Sequence, residues 1–255
     1  MVQEKLSVRQ ACKLVSLPRS AITYKKVQRD DSSLINALNE LVEKHPSIGF
    51  WKCYYRLRRK GYACNHKSLY RVYTLLKLNI RRRPKRRIPQ RVKEPLVVPQ
   101  GINKSWSMDF MTDSLVDGRR FRLLNIMDDY NRESLAIEVD TSLPAARVIR
   151  VLERLLEHRT KPESIRVDNG PEFISDKLKL WCEEKGIRLQ FIQPGKPVQN
   201  AFIERKNGSM RKELLDAYLF YTLDEVRLLA EGWRMDYNHE RPHEALGFVP
   251  PAEYI

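Results

Sequence analysis

Three acidic residues stand in contexts suited to metal chemistry: Asp109 within 106–110 (Trp-Ser-Met-Asp-Phe), Asp168 within 167–173 (Val-Asp-Asn-Gly-Pro-Glu-Phe) and Glu204 within 199–205 (Gln-Asn-Ala-Phe-Ile-Glu-Arg). Carboxylates crowded together raise one another's pKa, and a divalent ion removes the conflict. Mg²⁺ prefers oxygen ligands and keeps waters and substrate phosphates in its shell. Two such ions about 3.5–4 Å apart stabilise the attacking and leaving oxygens of an in-line phosphoryl displacement. Asp109 is expected to bridge the ions, with Asp168 and Glu204 completing one site each. Spacing alone carries none of this, because the thirty-five residues between Asp168 and Glu204 also separate Asp117 from Glu153. The competing acids have plainer roles. Asp117 precedes glycine in a hairpin turn, Asp128 and Asp129 close a strand where turn or cap roles prevail, and Glu153 and Glu172 read as solvated acids. Asp113 is a further competitor.

Elements must bring these residues together. From residue 102 the pattern becomes strand-like: 105–112, 119–127 and 133–140 read as successive strands, the first two joined through Val116-Asp-Gly118. A helix over 145–159, a short buried strand over 164–167, a helix over 176–185 ended by Gly186, a strand over 187–192, a long helix over 198–220 and a last helix over 224–238 follow. The order βββαβαβα describes an α/β domain with a mixed five-stranded sheet and helices on its faces. If the first and fourth strands are neighbours, the two aspartates meet near the carboxyl end of the fourth, where open sheets place ligands. The long helix then needs only to cross that edge to bring Glu204 in.

Upstream, residues 7–24 read as two short helices broken at 16–18, with Pro18 or Ser20 opening the second. Helical stripes over 33–44, 50–60 and 67–78 form a small helix-turn-helix-like bundle, with Asn65 as N-cap of its third helix and Trp51, Tyr54 and Tyr55 counted toward its core. That helix offers His66, Lys67, Ser68 and Arg71 near its start, where recognition helices meet base edges. Arg81, Arg82, Arg83, Lys85, Arg86 and Arg87, among prolines, form a linker that cannot bury apolar surface and is suited to lie along phosphates. The expected division is 1–30, a short helical segment; 31–79, the helix-turn-helix-like domain; 80–101, the basic linker; and 102–255, the α/β domain.

Charge follows the same division. The 255-residue chain carries a formal net charge of +15; residues 1–100 hold 24 Lys and Arg against 6 Asp and Glu, whereas 101–255 hold 23 against 26. Such one-sidedness points to a polyanion partner met by the first part of the chain. A hydrophobic fraction of 42% is enough for a core. No apolar run approaches the roughly 20 residues that span a bilayer, and the amino terminus has no signal-like apolar stretch. A cytoplasmic, nucleoid-associated protein without membrane contact is expected. Cys12, Cys53, Cys64 and Cys182 are spread too widely for paired ligands; a zinc site from Cys53, Cys64, His45 and His66 is the weaker reading and free thiols the better one.

Taken with Gln193-Pro-Gly-Lys-Pro-Val-Gln-Asn-Ala-Phe-Ile-Glu204-Arg-Lys-Asn-Gly, Arg211 and the closing Trp233-Arg-Met-Asp-Tyr-Asn-His-Glu-Arg-Pro-His-Glu-Ala-Leu-Gly247, the three acids resemble the D,D(35)E signature of retroviral-integrase-like transposases. More narrowly, the chain is similar to the second-frame (orfB-type) product of bacterial insertion sequences; His45-Pro-Ser-Ile-Gly49 and Leu69-Tyr-Arg-Val-Tyr73 add to the likeness. The resemblance implies a ribonuclease-H-like domain that uses Mg²⁺ or Mn²⁺ to nick the ends of a mobile element and join the 3′-hydroxyl to target DNA. It also implies a homo-oligomer on double-stranded DNA and an upstream-frame DNA-binding partner. The absence of a phosphate-binding G-x-x-x-x-G-K-[ST] loop agrees, since transesterification needs no nucleotide energy source. Arg211, two helical turns beyond Glu204, is expected to hold a DNA phosphate. Gln199, Asn200 and Asn207 flank the site as DNA contacts, with helix capping as the alternative for Asn200. Lys206, where many relatives carry an aromatic residue, joins these candidates. A non-catalytic DNA-binding regulator or inactive element remnant is the alternative function. A plain ribonuclease H would leave the helical bundle and linker unexplained.

Overall fold

The computed structural model describes residues 7–25, 30–80, 98–193 and 197–254. The basic stretch with Arg81, Arg82, Arg83, Lys85, Arg86 and Arg87 lies outside the described residues. Two short helices, α1 (Val8–Leu14) and α2 (Arg19–Thr23), come first. Ser7 and Gln10 form a reciprocal capping box at α1, and Pro18 rather than Ser20 occupies the N-cap of α2. Helices α3 (Ser32–Lys44), α4 (Phe50–Arg59) and α5 (His66–Leu75) then enclose a cluster of their own that includes Leu38, Leu41, Leu57, Leu69, Val72 and Tyr73. Asn65 caps α5 by accepting from the Lys67 N–H. Trp51 departs from expectation: it is exposed rather than packed in that core.

The remainder is built on five strands: β1 (Ser105–Ser114), β2 (Arg120–Asp128), β3 (Ser134–Asp140), β4 (Ser164–Val167) and β5 (Arg188–Phe191). Their order in the sheet is β3-β2-β1-β4-β5, with β1–β2 and β2–β3 antiparallel and β1–β4 and β4–β5 parallel. β1 and β4 are therefore neighbours, with Trp106 opposite Ile165. Alternation along β1 sends Trp106, Met108 and Phe110 to one face and Met111 to the other. On the first face pack α6 (Ala145–Leu156) and α8 (Asp176–Lys185), through Val148, Val151, Leu152, Leu178 and Trp181. The second face takes α9 (Ala201–Met210) and α10 (Leu223–His239), through Met210, Val226 and Ala230. Helices thus cover both faces of a mixed sheet, the ribonuclease-H-like arrangement, preceded by an all-helical unit.

The long helix expected over 198–220 is a composite. A 3-10 turn (Pro197–Asn200) leads into α9, a π-helical segment (Arg211–Leu215) follows, and the helical path ends there. The Asp216 N–H donates to the Arg211 carbonyl at 2.7 Å, the i→i+5 bond of a π turn. The wider turn lets the consecutive Leu214 and Leu215 both reach the cluster around Met111, Leu115 and Phe121. The four-residue helix α7 (Pro171–Ile174) was not anticipated. No helix among the described residues is long and apolar enough to cross a membrane.

Candidate active site

Asp109 lies in mid-β1 on the face toward α9, directly opposite Asn125 of β2. Its carboxylate is held twice: Oδ1 accepts from the Phe110 N–H at 2.8 Å and Oδ2 from the Asn207 amide at 2.8 Å. Burial pushes the Asp109 carboxyl up to about 6, with the charges of Asp168 and Glu204 adding to the rise and the two hydrogen bonds opposing it. The three acids therefore share one electrostatic neighbourhood.

Asp168 follows the last residue of β4, and the motif after it holds it in place. Its Oδ1 accepts from the Gly170 N–H at 2.9 Å, and a Cβ on Gly170 would stand 2.9 Å from that oxygen. Asn169 ties the loop to β5 by donating to the Ile192 carbonyl at 3.1 Å. Pro171 opens α7 at a position that needs no N–H. Phe173 is buried and stacks on Phe110 of β1 at 4.8 Å, with the Arg122 guanidinium 4.4 Å from the Phe110 ring centre. Glu172, expected to be solvated, instead pairs with Arg122 and is held below its ordinary value by that hydrogen bond. The segment after Asp168 is thus packed on β1 and β2 through Phe173 and Glu172.

Glu204 is exposed near the start of α9, while Ile203, Lys206, Asn207 and Met210 of that helix are buried. Lys206 corrects its assignment as a DNA contact. It is 2% exposed, its Nζ donates to Asn125 Oδ1 at 3.0 Å, and burial, with the nearby charge of Arg234, pulls it down to about 7 against the pull of Asp109. The reason is positional, since Ile203, three residues before it, and Met210, four after it, are buried on the same side of α9. Asn207 is likewise buried and serves Asp109 rather than solvent. Asn200 is 2% exposed, makes no side-chain cap bond and has no partner for its Oδ1 among the described residues; the capping role is not realised. Gln199 accepts from the Gln193 N–H at 2.8 Å and so braces the approach to α9. Arg211 is directed at the end of β1, donating to Asp113 Oδ2 at 2.6 Å and to the Thr112 carbonyl at 2.7 Å.

The remaining acids have structural work. Asp128 accepts from the Asn103 and Tyr130 N–H groups at 2.7 and 2.8 Å, and Asp129 is enclosed by Ser105, Ser107 and Arg166. Cys12, Cys53, Cys64 and Cys182 are buried free thiols. Among the described residues no group of three His, Cys, Asp or Glu closes into a ready-made metal cage, which removes the zinc reading and leaves the three acids open in this arrangement. Their donor set still fits a hard divalent cation, being carboxylate oxygen throughout, half-buried at Asp109 and Asp168 and accessible at Glu204. In the helical unit, Lys67 is exposed and Arg71 is paired with Asp31 at 2.7 Å.

Comparison with known proteins points to the same fold. Two integrase core domain models match, one over residues 99–197 and one over 185–251. The uncharacterized 31.7 kDa protein of insertion element IS407 from Burkholderia multivorans is 39% identical over 256 residues, covering 99% of this chain and 92% of its own. Transposase InsD for insertion element IS2 of Escherichia coli is 23% identical over 239 residues, 89% of this chain and 79% of its own. In fold, a chain of the simian T-cell lymphotropic virus intasome in complex with the PP2A regulatory subunit B56 gamma aligns with a TM-score of 0.54 at 16% identity, over 75% of this chain and 67% of its own.

Proposed function

The chain belongs to the integrase-like transposases of insertion elements, and we propose that it is a metal-dependent polynucleotidyl transferase that cleaves double-stranded DNA at the element's ends and joins the 3′-hydroxyl to a target strand. The observation that carries this reading is the placement of Asp109, Asp168 and Glu204 by β1, the end of β4 and the start of α9, near enough that the charges of Asp168 and Glu204 add to the rise of the Asp109 carboxyl. A pair of Mg²⁺ or Mn²⁺ ions held by these carboxylates would neutralise the crowded charge and stabilise the oxygens exchanged at phosphorus.

The chain's own groups prepare that site. Asn207 and the Phe110 N–H hold Asp109 at both oxygens, the Gly170 N–H holds Asp168, and Glu204 is exposed near the start of α9. Phe173 and Arg122 keep the loop after β4 pressed on β1, so the two aspartates are set before DNA arrives. Lys67 and Arg71 on α5 are the contacts proposed for duplex DNA, within a DNA-binding unit over 31–79, and the active form is an oligomer assembled on paired ends in the cytoplasm.

The test is strand transfer on duplexes that end in the element's terminal sequence. Asp109→Asn, Asp168→Asn and Glu204→Gln are each expected to abolish Mg²⁺-dependent cleavage and joining while DNA binding stays nearly intact. Robust transfer by any of the three variants would sink the assignment. A wild-type protein that binds the ends without cutting them under any divalent ion would favour a DNA-binding regulator instead.

A further inference from the structure

Lys206 is among the largest fully enclosed side chains of the molecule. Burying an ammonium costs far more than burying an apolar group of the same length, so packing does not explain it. Its bonds do. Lys206 Nζ donates to Asn125 Oδ1 at 3.0 Å, Asn125 Nδ2 donates to Asn207 Oδ1 at 2.9 Å, and Asn207 Nδ2 donates to Asp109 Oδ2 at 2.8 Å. Asn125 and Asn207 are both buried.

A side-chain amide is nearly symmetric in shape, and turning it over exchanges a donor for an acceptor. Lys206 Nζ is the donor at the head of this chain of bonds. Asn125 must therefore turn its oxygen to the lysine and its NH₂ to Asn207, and Asn207 must turn its oxygen to Asn125 and its NH₂ to Asp109. Turned over, Asn207 would set a carbonyl oxygen against a carboxylate oxygen. We infer that Lys206 is a positioning residue for Asp109: it sets the direction of a two-amide relay, running from the buried face of α9 through β2, so that the relay ends as a donor on Asp109. The carboxylate is then fixed at Oδ2 by the relay and at Oδ1 by its own strand.

The inference rests on the proposed role of Asp109, and the experiment separates the two. Lys206→Met keeps the length of the side chain and removes the donor. In the metal-free full chain, its thermal midpoint is expected to equal or exceed that of wild type, because an unfavourable burial is relieved. With asparagine-selective ¹⁵N labelling, the side-chain amide protons of Asn125 and Asn207 are expected to be protected from exchange in wild type and to lose that protection in Lys206→Met. Calorimetric affinity for Mn²⁺ is expected to fall at least ~10-fold. The double variant Lys206→Met with Asn125→Leu replaces both partners by apolar groups and is expected to be no weaker than Lys206→Met alone, since the relay is already without direction. A folded Lys206→Met protein with wild-type amide protection and wild-type Mn²⁺ affinity overturns the inference. If Asp109→Asn binds Mn²⁺ as tightly as wild type, the ligand role of Asp109 falls, and amide protection still decides whether Lys206 orders the relay.

Discussion

Gly170 has no side chain because a carboxylate oxygen occupies the edge of the space one would need. Its backbone angles, φ −65° and ψ 146°, are open to any residue, so conformation alone does not demand glycine. Gly170→Ala is therefore expected to leave the unfolding midpoint unchanged or slightly raised, while the new methyl, 2.9 Å from Asp168 Oδ1, rotates that carboxylate out of line. Strand transfer should drop roughly 10- to 100-fold, as a misplacement on the ångström scale does. Equal activity in the two proteins would show that Asp168 does not need its present orientation. At this scale the sequence is a good guide to acids and a poor one to amides and amines. Asp109, Asp168 and Glu204 are legible through their flanking residues. Lys206 is misread because lysine is exposed by default. One signal was available: Ile203, Lys206, Asn207 and Met210 fall at i, i+3, i+4 and i+7, so the apolar stripe of α9 runs straight through the two polar residues. Asn125 stands out in the same way, as a lone amide in the apolar run from Leu123 to Met127 of β2.

Strands β1 to β5 are readable as short apolar runs between turn signals, and helices α6, α8 and α10 as stripes that show one face to a core and another to solvent. The π segment is not, since nothing in local pattern distinguishes a helix that continues from one that widens by a residue. What decides it is tertiary. Leu214 and Leu215 are adjacent, and an ordinary α-helix would place them 100° apart around its axis, yet both are buried against β1 and β2. The same turn aims Arg211 at Asp113, which closes the end of β1. If the π segment anchors the carboxyl end of α9, Leu214→Ala should cost about 2–5 kcal/mol in urea unfolding, the usual range for a buried leucine. A cost near zero would mean that the turn is held by Arg211 and Asp113 alone. The short α7 escapes periodicity for a different reason: four residues are too few to show a stripe, and its place is set by Pro171 and by Phe173 stacking on Phe110.

Over the whole molecule, the strongly basic first part is bound in part by the acids of the second. Helix α4 faces α10 and the closing segment, with Arg56 on Asp236 at 2.5 and 2.9 Å, Arg59 on Glu253 at 2.5 and 2.7 Å, and Tyr55 stacked on Phe248 at 4.1 Å. Of these contacts the Arg56–Asp236 pair is the most enclosed, and its energetics can be read by pH. Burial pushes the Asp236 carboxyl up, but the hydrogen bond and charge of Arg56, helped by His45 and Lys44, outweigh it and hold the carboxyl below its ordinary value. A carboxyl lowered on folding contributes stability that is present above its unfolded value and lost as pH falls through the lowered one. Arg56→Ala leaves that carboxylate half-buried without its bidentate partner, at a cost of about 3 kcal/mol at pH 7. The gap in unfolding free energy between wild type and Arg56→Ala should therefore hold near neutral pH and narrow only as pH falls below about 5 through the carboxylate range, with hydrogen exchange in α4 faster in the variant at neutral pH. A gap independent of pH would place the docking of the helical unit on the Tyr55–Phe248 stack and the Arg59–Glu253 pair instead.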